Sequence, residues 1–368
     1  MSISFAGRTE KGLSRASEEF GWRTPTCVAD VDDVASLEAA LRGAALVVHA
    51  AGPFQQRKQN RVLEAAITAR CAYVDVSDDA DFSERSREEH GAAAAAAGVT
   101  AITSAGIFPG VSNLLAAQLV EAGRAEGLTT DRVVFSYFTA GSGGVGDTIL
   151  ATSYLLAGEP ATVVKGGSLL QLPPISNRSV ADFGFPIGKR ETYVYNLPEV
   201  VSLFRVYGVP NVVARFGTSP GVWNSLMALM ASALPRELLQ SREFAARLAG
   251  LSSPLVRAVD ALVGQRVCMR VDAEQSAGPG SAPKLLSSLY TAERLSDAVG
   301  VCTAAFAVEL LEGGAGAKPG VFYPEEAALD RSRLLQRASQ GTLRFEQGRG
   351  GWQIDSKTKQ VAFGFYID

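Results

Sequence analysis

The sequence predicts an α/β chain: a parallel sheet with interleaved helices over roughly the first hundred residues, followed by a mixed α+β region. Three observations predict it. Short apolar runs recur from the N-terminus with helical patterns of about 8–15 residues between them, the rhythm of a parallel sheet. The run Ala45-Leu46-Val47-Val48-His49-Ala50-Ala51-Gly52-Pro53-Phe54-Gln55 carries five apolar residues without alternation into a Gly-Pro turn. That pattern suits a strand covered on both faces. From about Gly106 the rhythm changes to longer strands of antiparallel character.

In chain order, Ile3 to Arg8 reads as a strand ending in Gly7-Arg8, with a helix from about Glu10 to Phe20. Thr26 to Ala29 is a second strand closed by Asp30, Val34 to Leu41 a helix, Leu46 to Ala50 a strand, and Asn60 to Arg70 a helix. Ala72 to Ser77 and Val99 to Thr103 are strands flanking a helix from about Asp81 to Ala97. A helix from Val111 to Arg124 then leads to strands at Arg132 to Ala140, Val163 to Leu172 and Val212 to Phe216. Asp182 to Gly188 reads as loop and Ala228 to Val263 as helix. Arg266 to Glu274 and Lys284 to Tyr290 form a hairpin, and Thr291 to Leu311 is a long helix. The tail holds strand-like pieces at Thr342 to Phe345, Gly351 to Ile354 and Gln360 to Tyr366.

At 368 residues the chain exceeds what one core usually organises, and the change of rhythm divides it into 1–110 and 111–368. A net charge of −3 with no long basic run argues against nucleic acid and anionic membrane surfaces as partners. The four cysteines (Cys27, Cys71, Cys268, Cys302) and two histidines (His49, His90) have no zinc-site spacing, so no metal is expected and the thiols read as free and mostly buried. Two histidines also argue against His-centred acid–base chemistry. No apolar segment reaches the roughly 18 residues of a membrane span. The longest, Val222 to Leu234, is interrupted by Asn224, Ser225 and Ser232 and reads as a buried helix or as the interface of a homodimer. No targeting segment is evident, and a soluble intracellular protein of cytoplasm or plastid is expected.

Open parallel sheets bind ligands outside the carboxyl ends of their strands. Gly7-Arg8 ends the first strand, where dinucleotide folds place an acid for a ribose hydroxyl or an arginine for a 2′-phosphate. Arg8 therefore points to NADP, the alternative being an ordinary surface arginine. Asp30 stands where an adenine is edged, or caps the helix that follows. Ala50, Ala51, Gly52, Pro53 and Phe54 let backbone approach a flat group. Tyr73, Asp75, Ser77 and Asp78 cluster at a strand end, substrate-facing or helix-capping. Gly106 to Asn113, with Phe108, Pro109 and Gly110, could offer free amides at a helix N-terminus to a substrate carboxylate, or be a capped turn that crosses between domains. Gly141-Ser142-Gly143-Gly144-Val145-Gly146 satisfies G-x-G-x-x-G, but no acid ends a strand about 20 residues on. A turn lining a substrate cleft, or simply a close-packed one, is the stronger reading.

Taken together, Phe5-Ala-Gly-Arg8, Val47-Val-His-Ala-Ala-Gly-Pro-Phe54, Tyr73-Val-Asp-Val-Ser77 and Ala105-Gly-Ile-Phe-Pro-Gly-Val-Ser-Asn113 resemble the saccharopine dehydrogenase-like family, in its plant and cyanobacterial form. The likeness continues through Phe135 to Gly146, Val213 to Pro220, Val299 to Phe306, Gly320 to Glu326 and Arg337 to Gly341. It implies a Rossmann-like parallel sheet, a mixed α+β second domain for substrate and dimerisation, and an active site between them. In one respect the chain departs from it. The family opens with a strand and a glycine turn that cradles the pyrophosphate, and this sequence begins at the second strand. In a 3-2-1-4-5-6 sheet the missing strand is central. Either Ile3 to Ala6 pairs directly with Leu46 to Ala50, or the sheet is defective, or the sequence is an incomplete copy, the reading favoured here.

The expected function is thus an NADP-dependent oxidoreductase acting on an unidentified small molecule. Gly7, Arg8, Asp30 and Ala50 to Phe54 would hold the cofactor. Tyr73 and Asp75 are the catalytic candidates, and Ser77, Phe108, Pro109, Gly110, Asn113, Gly141, Gly143 and Gly144 face substrate. The alternative is a non-catalytic binding or scaffold protein with a defective cofactor site.

Overall fold

Polar caps and glycine stops set the ends of the early helices. The elements run β1 (Phe5–Gly7), α1 (Glu10–Phe20), β2 (Thr26–Val28), α2 (Val34–Leu41), β3 (Leu46–His49), α3 (Arg61–Thr68), β4 (Ala72–Asp75), α4 (Ala80–Ala97) and β5 (Thr100–Ile102). The side chains of Thr9, Asp33, Asn60 and Asp79 accept amides of Gly12, Ala35, Leu63 and Phe82 at the four helix starts, each contact stabilising by about 1 kcal/mol. Then follow α5 (Val111–Ala125), β6 (Thr129–Ala140), α6 (Asp147–Leu156), β7 (Ala161–Lys165), β8 (Ser168–Leu172), β9 (Ser176–Asp182), β10 (Lys189–Val194), α7 (Pro198–Tyr207), β11 (Val212–Ser219), α8 (Val222–Ala233), α9 (Arg236–Leu239) and α10 (Arg242–Val263). The chain closes with β12 (Arg266–Ser276), β13 (Lys284–Ala292), α11 (Leu295–Glu312), β14 (Gly320–Phe322), α12 (Arg331–Ala338), β15 (Arg344–Gly350), β16 (Lys359–Gln360) and β17 (Tyr366–Ile367). This computed structural model describes residues 2–21, 23–141, 146–278, 280–312, 318–327, 329–351, 359–360 and 366–367.

The first hundred residues form two parallel sheets. β1 pairs with β2, and β3, β4, β5 and β14 form a second sheet in the order β14-β5-β4-β3. Among the described residues no ladder joins β1 to β3, so the direct pairing weighed from the sequence does not occur and the sheet is divided. In the 3-2-1-4-5-6 order, the division between β1 and β3 falls at the central position. The two parts are joined by helix packing instead. Leu37 and Leu41 of α2 share a core with Val62, Leu63 and Ala66 of α3 and with Tyr73 and Ala101 of the larger sheet. Fully burying each such leucine stabilises by about 1.5–3 kcal/mol.

The second domain is a nine-stranded mixed sheet, β15-β13-β12-β6-β11-β10-β9, with the β7–β8 hairpin attached at β11. β6 is its pivot, parallel to β11 and antiparallel to β12. α5 buries Leu115, Ala116 and Leu119 in a core that also takes in Val133 and Phe135 of β6, Val74 and Ile102 of the small sheet, and Cys302 and Phe306 of α11. The two regions therefore share one apolar interior. β14 returns from the far end of the chain to pair with β5, so a division at residue 110 leaves one strand of the first sheet outside it.

Several expectations are corrected. Val163 to Leu172 is not one strand but the hairpin β7–β8, because Gly166 and Gly167 both take positive φ and turn the chain as only glycine does readily. The loop Asp182 to Gly188 is the tip of an unforeseen hairpin, β9–β10. The long helix from Ala228 splits into α8, α9 and α10 at Pro235 and Ser241, and α11 starts four residues later than expected, at Leu295. The Val222 to Leu234 helix is not fully buried: Val222, Leu226 and Leu229 face outward. Of the tail pieces, 352–354 and 361–365 lie outside the described residues. All four cysteines are free, three of them buried, and among the described residues no helix is long and apolar enough to cross a membrane.

Candidate active site at the domain junction

Apolar strands that end in polar residues deliver a connected web of hydrogen bonds beneath the strand ends. The Asp75 carboxylate, wholly buried, accepts from the Tyr73 hydroxyl (2.9 Å), the Thr103 hydroxyl (3.0 Å) and the backbone amides of Ser77 (3.0 Å) and Ser104 (2.7 Å). Burial pushes its pKa up, and these donors pull it part of the way back. Tyr73 also meets Asn60 Nδ2 and His49 Nδ1, each at 3.0 Å. A phenol has one proton. With that proton on Asp75, His49 Nδ1 must be the donor to Tyr73, which leaves Nε2 as a bare acceptor. Among the described residues, His49 Nε2 is in fact buried without a partner. Burial first, and the Arg57 guanidinium second, push the imidazole down to about 3, so it is neutral at physiological pH.

The loop after β3 reaches from this web to the second domain. Ala50 and Ala51 are exposed and Gly52 half-buried, and a Cβ on Gly52 would touch Thr148 Cγ2 of α6 at 3.5 Å. Phe54 is buried, edge-on to His49 with ring centroids 5.0 Å apart. The buried Gln55 bridges Asp78 (2.8 Å) to Thr152 of α6 (3.4 Å), and Arg242 at the start of α10 donates to the carbonyl of Pro53 at 3.1 Å.

The turn from Gly106 to Asn113 is closed upon itself. The Gly110 amide donates to Asn113 Oδ1 (2.9 Å), Val111 N to Gly106 O (3.0 Å) and Ser112 N to Ile107 O (3.0 Å). These amides are thus engaged, and the anion seat expected at this helix N-terminus is corrected on that ground. Gly110 has φ 130°, and a Cβ there would lie 2.1 Å from Gly106 O. Asn113, buried, donates to Ser202 (2.9 Å) and to Glu325 (3.0 Å). Phe108 stacks on Tyr137 at 4.4 Å, and the Tyr137 hydroxyl donates to Glu199. Glu199 Oε2 and Glu325 Oε1 are buried without partners among the described residues. Burial, chiefly, raises Glu199 to about 7 and Glu159 to about 8; the neighbouring Asp79 adds to the second. Asp79 itself is raised to about 6 by burial. The junction is thus lined by carboxyls held toward their neutral forms.

The remaining sequence-derived residues fall as follows. Gly7 packs against α1, where a Cβ would meet Leu13 Cδ2 at 3.0 Å, and Arg8 is exposed at the end of β1. Asp30 does not cap α2; that cap is Asp33. Asp30 closes a turn by accepting the Asp32 amide at 2.9 Å, and its own amide donates to Ser36. Ser77, fully buried, accepts the Asp79 amide at 3.2 Å. Gly141 (φ 63°) is packed against the end of α10, a Cβ meeting Asp260 Oδ1 at 2.6 Å. Gly143 and Gly144 lie outside the described residues. Glu159, Glu199, Arg57 and Arg242 went unnoticed in the sequence, and His49 was read there only as one of two histidines too few for His-centred chemistry. Only His49, a polar residue inside an apolar strand-end motif, carried a local signal.

A dinucleotide is what strand ends of this kind hold, and the donor set fits two of its parts. An exposed arginine ends β1, and a buried imidazole nitrogen that is orphaned among the described residues, followed by small residues, ends β3. No described turn between these two strands supplies a nest of amides for a pyrophosphate.

Residues 2–102 match the family model described as the saccharopine dehydrogenase NADP binding domain. Across the whole chain the fold is similar to that of apo histidine-tagged saccharopine dehydrogenase (L-Glu forming) from Saccharomyces cerevisiae. The TM-score is 0.60 at 13% identity, with 92% of this chain and 90% of that chain covered. DAP dehydrogenase of C. glutamicum in complex with DAP gives a TM-score of 0.42 at 13% identity, over 90% and 95% of the two chains. Amine dehydrogenase from Mycobacterium smegmatis gives 0.43 at 11% identity, over 88% of each. No curated protein sequence matches the chain. The N-terminal domain is thus of the saccharopine dehydrogenase NADP-binding type, and the fold of the whole chain is similar to that of a saccharopine dehydrogenase.

Proposed function

We propose that the protein is an NADP-dependent oxidoreductase acting on a small molecule at the junction of its two domains. The observation that carries this reading is the match of residues 2–102 to an NADP-binding domain, which spans Arg8 and the β3 loop. Arg8 binds the 2′-phosphate, where a planar guanidinium can take two oxygens at once; Gly7 and Asp30 border the ribose and adenine, and Ala50 to Phe54 border the nicotinamide. The cofactor, when bound, supplies the hydride.

The chain's own residues position and neutralise. Tyr73 and Asp75 fix His49 in the tautomer that leaves Nε2 available as an acceptor. Ser77 holds the α4 start in place, and Phe108 to Asn113 with Gly141 wall the substrate side. Carboxyls held near neutrality, Glu159 and Glu199 among them, would regain charge beside a cation, which favours a substrate bearing a protonated amine.

The test is thermal unfolding against NADPH and NADH. Saturation at about 100 times the dissociation constant adds roughly 2.7 kcal/mol to the folded state. A shift with NADPH that exceeds the shift with NADH, and loses that preference in Arg8→Gln, is the expected result. No shift with either cofactor would leave the binding or scaffold alternative standing.

A further inference from the structure

A cavity of about 280 Å³ opens between the β3–α3 loop and the start of α10, lined by Arg57, Lys58, Arg61, Arg242, two glutamines and the single carboxylate Asp32. At roughly 30 Å³ per water, it has room for a phosphate carrying a small organic group. Four cations face one acid. Arg57 Nη1 pairs with Asp32 at 3.0 Å, while its Nε is buried without a partner among the described residues. Arg61 reaches the backbone carbonyl of Asp32 and the side-chain amide of Gln59. Arg242 reaches the carbonyls of Pro53 and Gln55. Neither forms an ion pair with a carboxylate among the described residues. Burial, and then the Arg57 guanidinium, hold Arg242 below the usual arginine range. Two half-buried guanidiniums repel each other, and an anion between them would relieve both.

We propose that this cavity is a phosphate-binding site, for inorganic phosphate or a small phosphomonoester, distinct from the cofactor position at Arg8. Its donors come from both domains: Arg57, Lys58 and Arg61 from the first, Arg242 from the second. A bound phosphate therefore bridges the loop that carries Ala50 to Phe54 to α10. The proposal does not rest on the oxidoreductase reading, since an anion would bind here whether or not the cofactor does.

The test is calorimetric titration of the full chain with inorganic phosphate, with chloride at matched ionic strength as control, alongside thermal unfolding. The expected result is saturable binding by phosphate, at least tenfold weaker in Arg57→Gln and Arg242→Gln, and unchanged within about twofold when NADPH is present. Lys58→Gln, at an exposed position, serves where the arginine variants do not fold, and weakens phosphate by a few-fold. Absence of saturable binding would overturn the proposal. So would equal binding by all three variants, which would mean an adventitious ion only. Displacement of phosphate by NADPH would also overturn it, assigning the cavity to the cofactor.

Discussion

The pair β1–β2 and the sheet β3-β4-β5-β14 are built from strands of similar length, yet they differ in what lies behind them. β4 has a closed polar web on Asp75 and apolar cores on both faces, with Val74 in one and Tyr73 in the other. β1 and β2 have α1 on one side, while Ala6, Thr26 and Val28 are exposed. The lesson is that a strand's sequence sets its direction and ends, whereas its stability is set by how many faces its neighbours cover. Arg8, the proposed 2′-phosphate ligand, thus stands on the thinner of the two structures, and the β3 loop on the thicker.

The strongest way to break this contrast is Asp75→Ala. It leaves four buried donors without an acceptor at about 1–3 kcal/mol each in the worst case, and a loss of roughly 4 kcal/mol or more is expected. Urea unfolding measures it; a loss under about 1 kcal/mol would mean that the web contributes nothing to stability. Leu63→Ala against Leu13→Ala sharpens the contrast directly. Leu63 is fully buried in the shared core, and truncation should cost about 2–5 kcal/mol. Leu13, half-buried over Gly7, should cost about 1 kcal/mol and leave the main unfolding transition in place. Equal losses would show that β1–β2 and the larger sheet unfold as one unit.

A third prediction concerns pH. Glu199 has its folded pKa raised to about 7 from 4.5, so between these values the folded state binds more protons than the unfolded chain. Stability must then fall as pH rises from about 4.5 to 7, by an amount on the order of 2–3 kcal/mol. Glu199→Gln should flatten that decline in urea midpoints between pH 5 and 8. An unchanged slope would place the titration on another group. The smallest effect expected is at Arg87, which holds Glu326 with Nη2 at 2.6 Å and Nε at 3.0 Å in a half-exposed pair. Arg87→Ala should cost about 0.5–1 kcal/mol, and the loss should shrink in 1 M salt.

Local chemistry determined a good deal from the sequence alone. Helices such as Glu10 to Phe20 and Val34 to Leu41 could be bounded to the residue from local pattern, although the cap of the second is Asp33 and not the Asp30 that the sequence suggested. The strand-end residues Arg8, Ala50 to Phe54, Tyr73 and Asp75 were legible for the same reason, since the end of an apolar run is a local signal. The tertiary structure decided what depends on distant partners. β9 and β10 are mixed polar strands that only pairing with each other and with β11 makes strands. Only folding places Glu199 under Tyr137, 62 positions apart, and Arg242 against Pro53, 189 apart. Burial and long-range electrostatics arise when such segments meet, so the acids and cations of the junction and its cavity had no local signature to read.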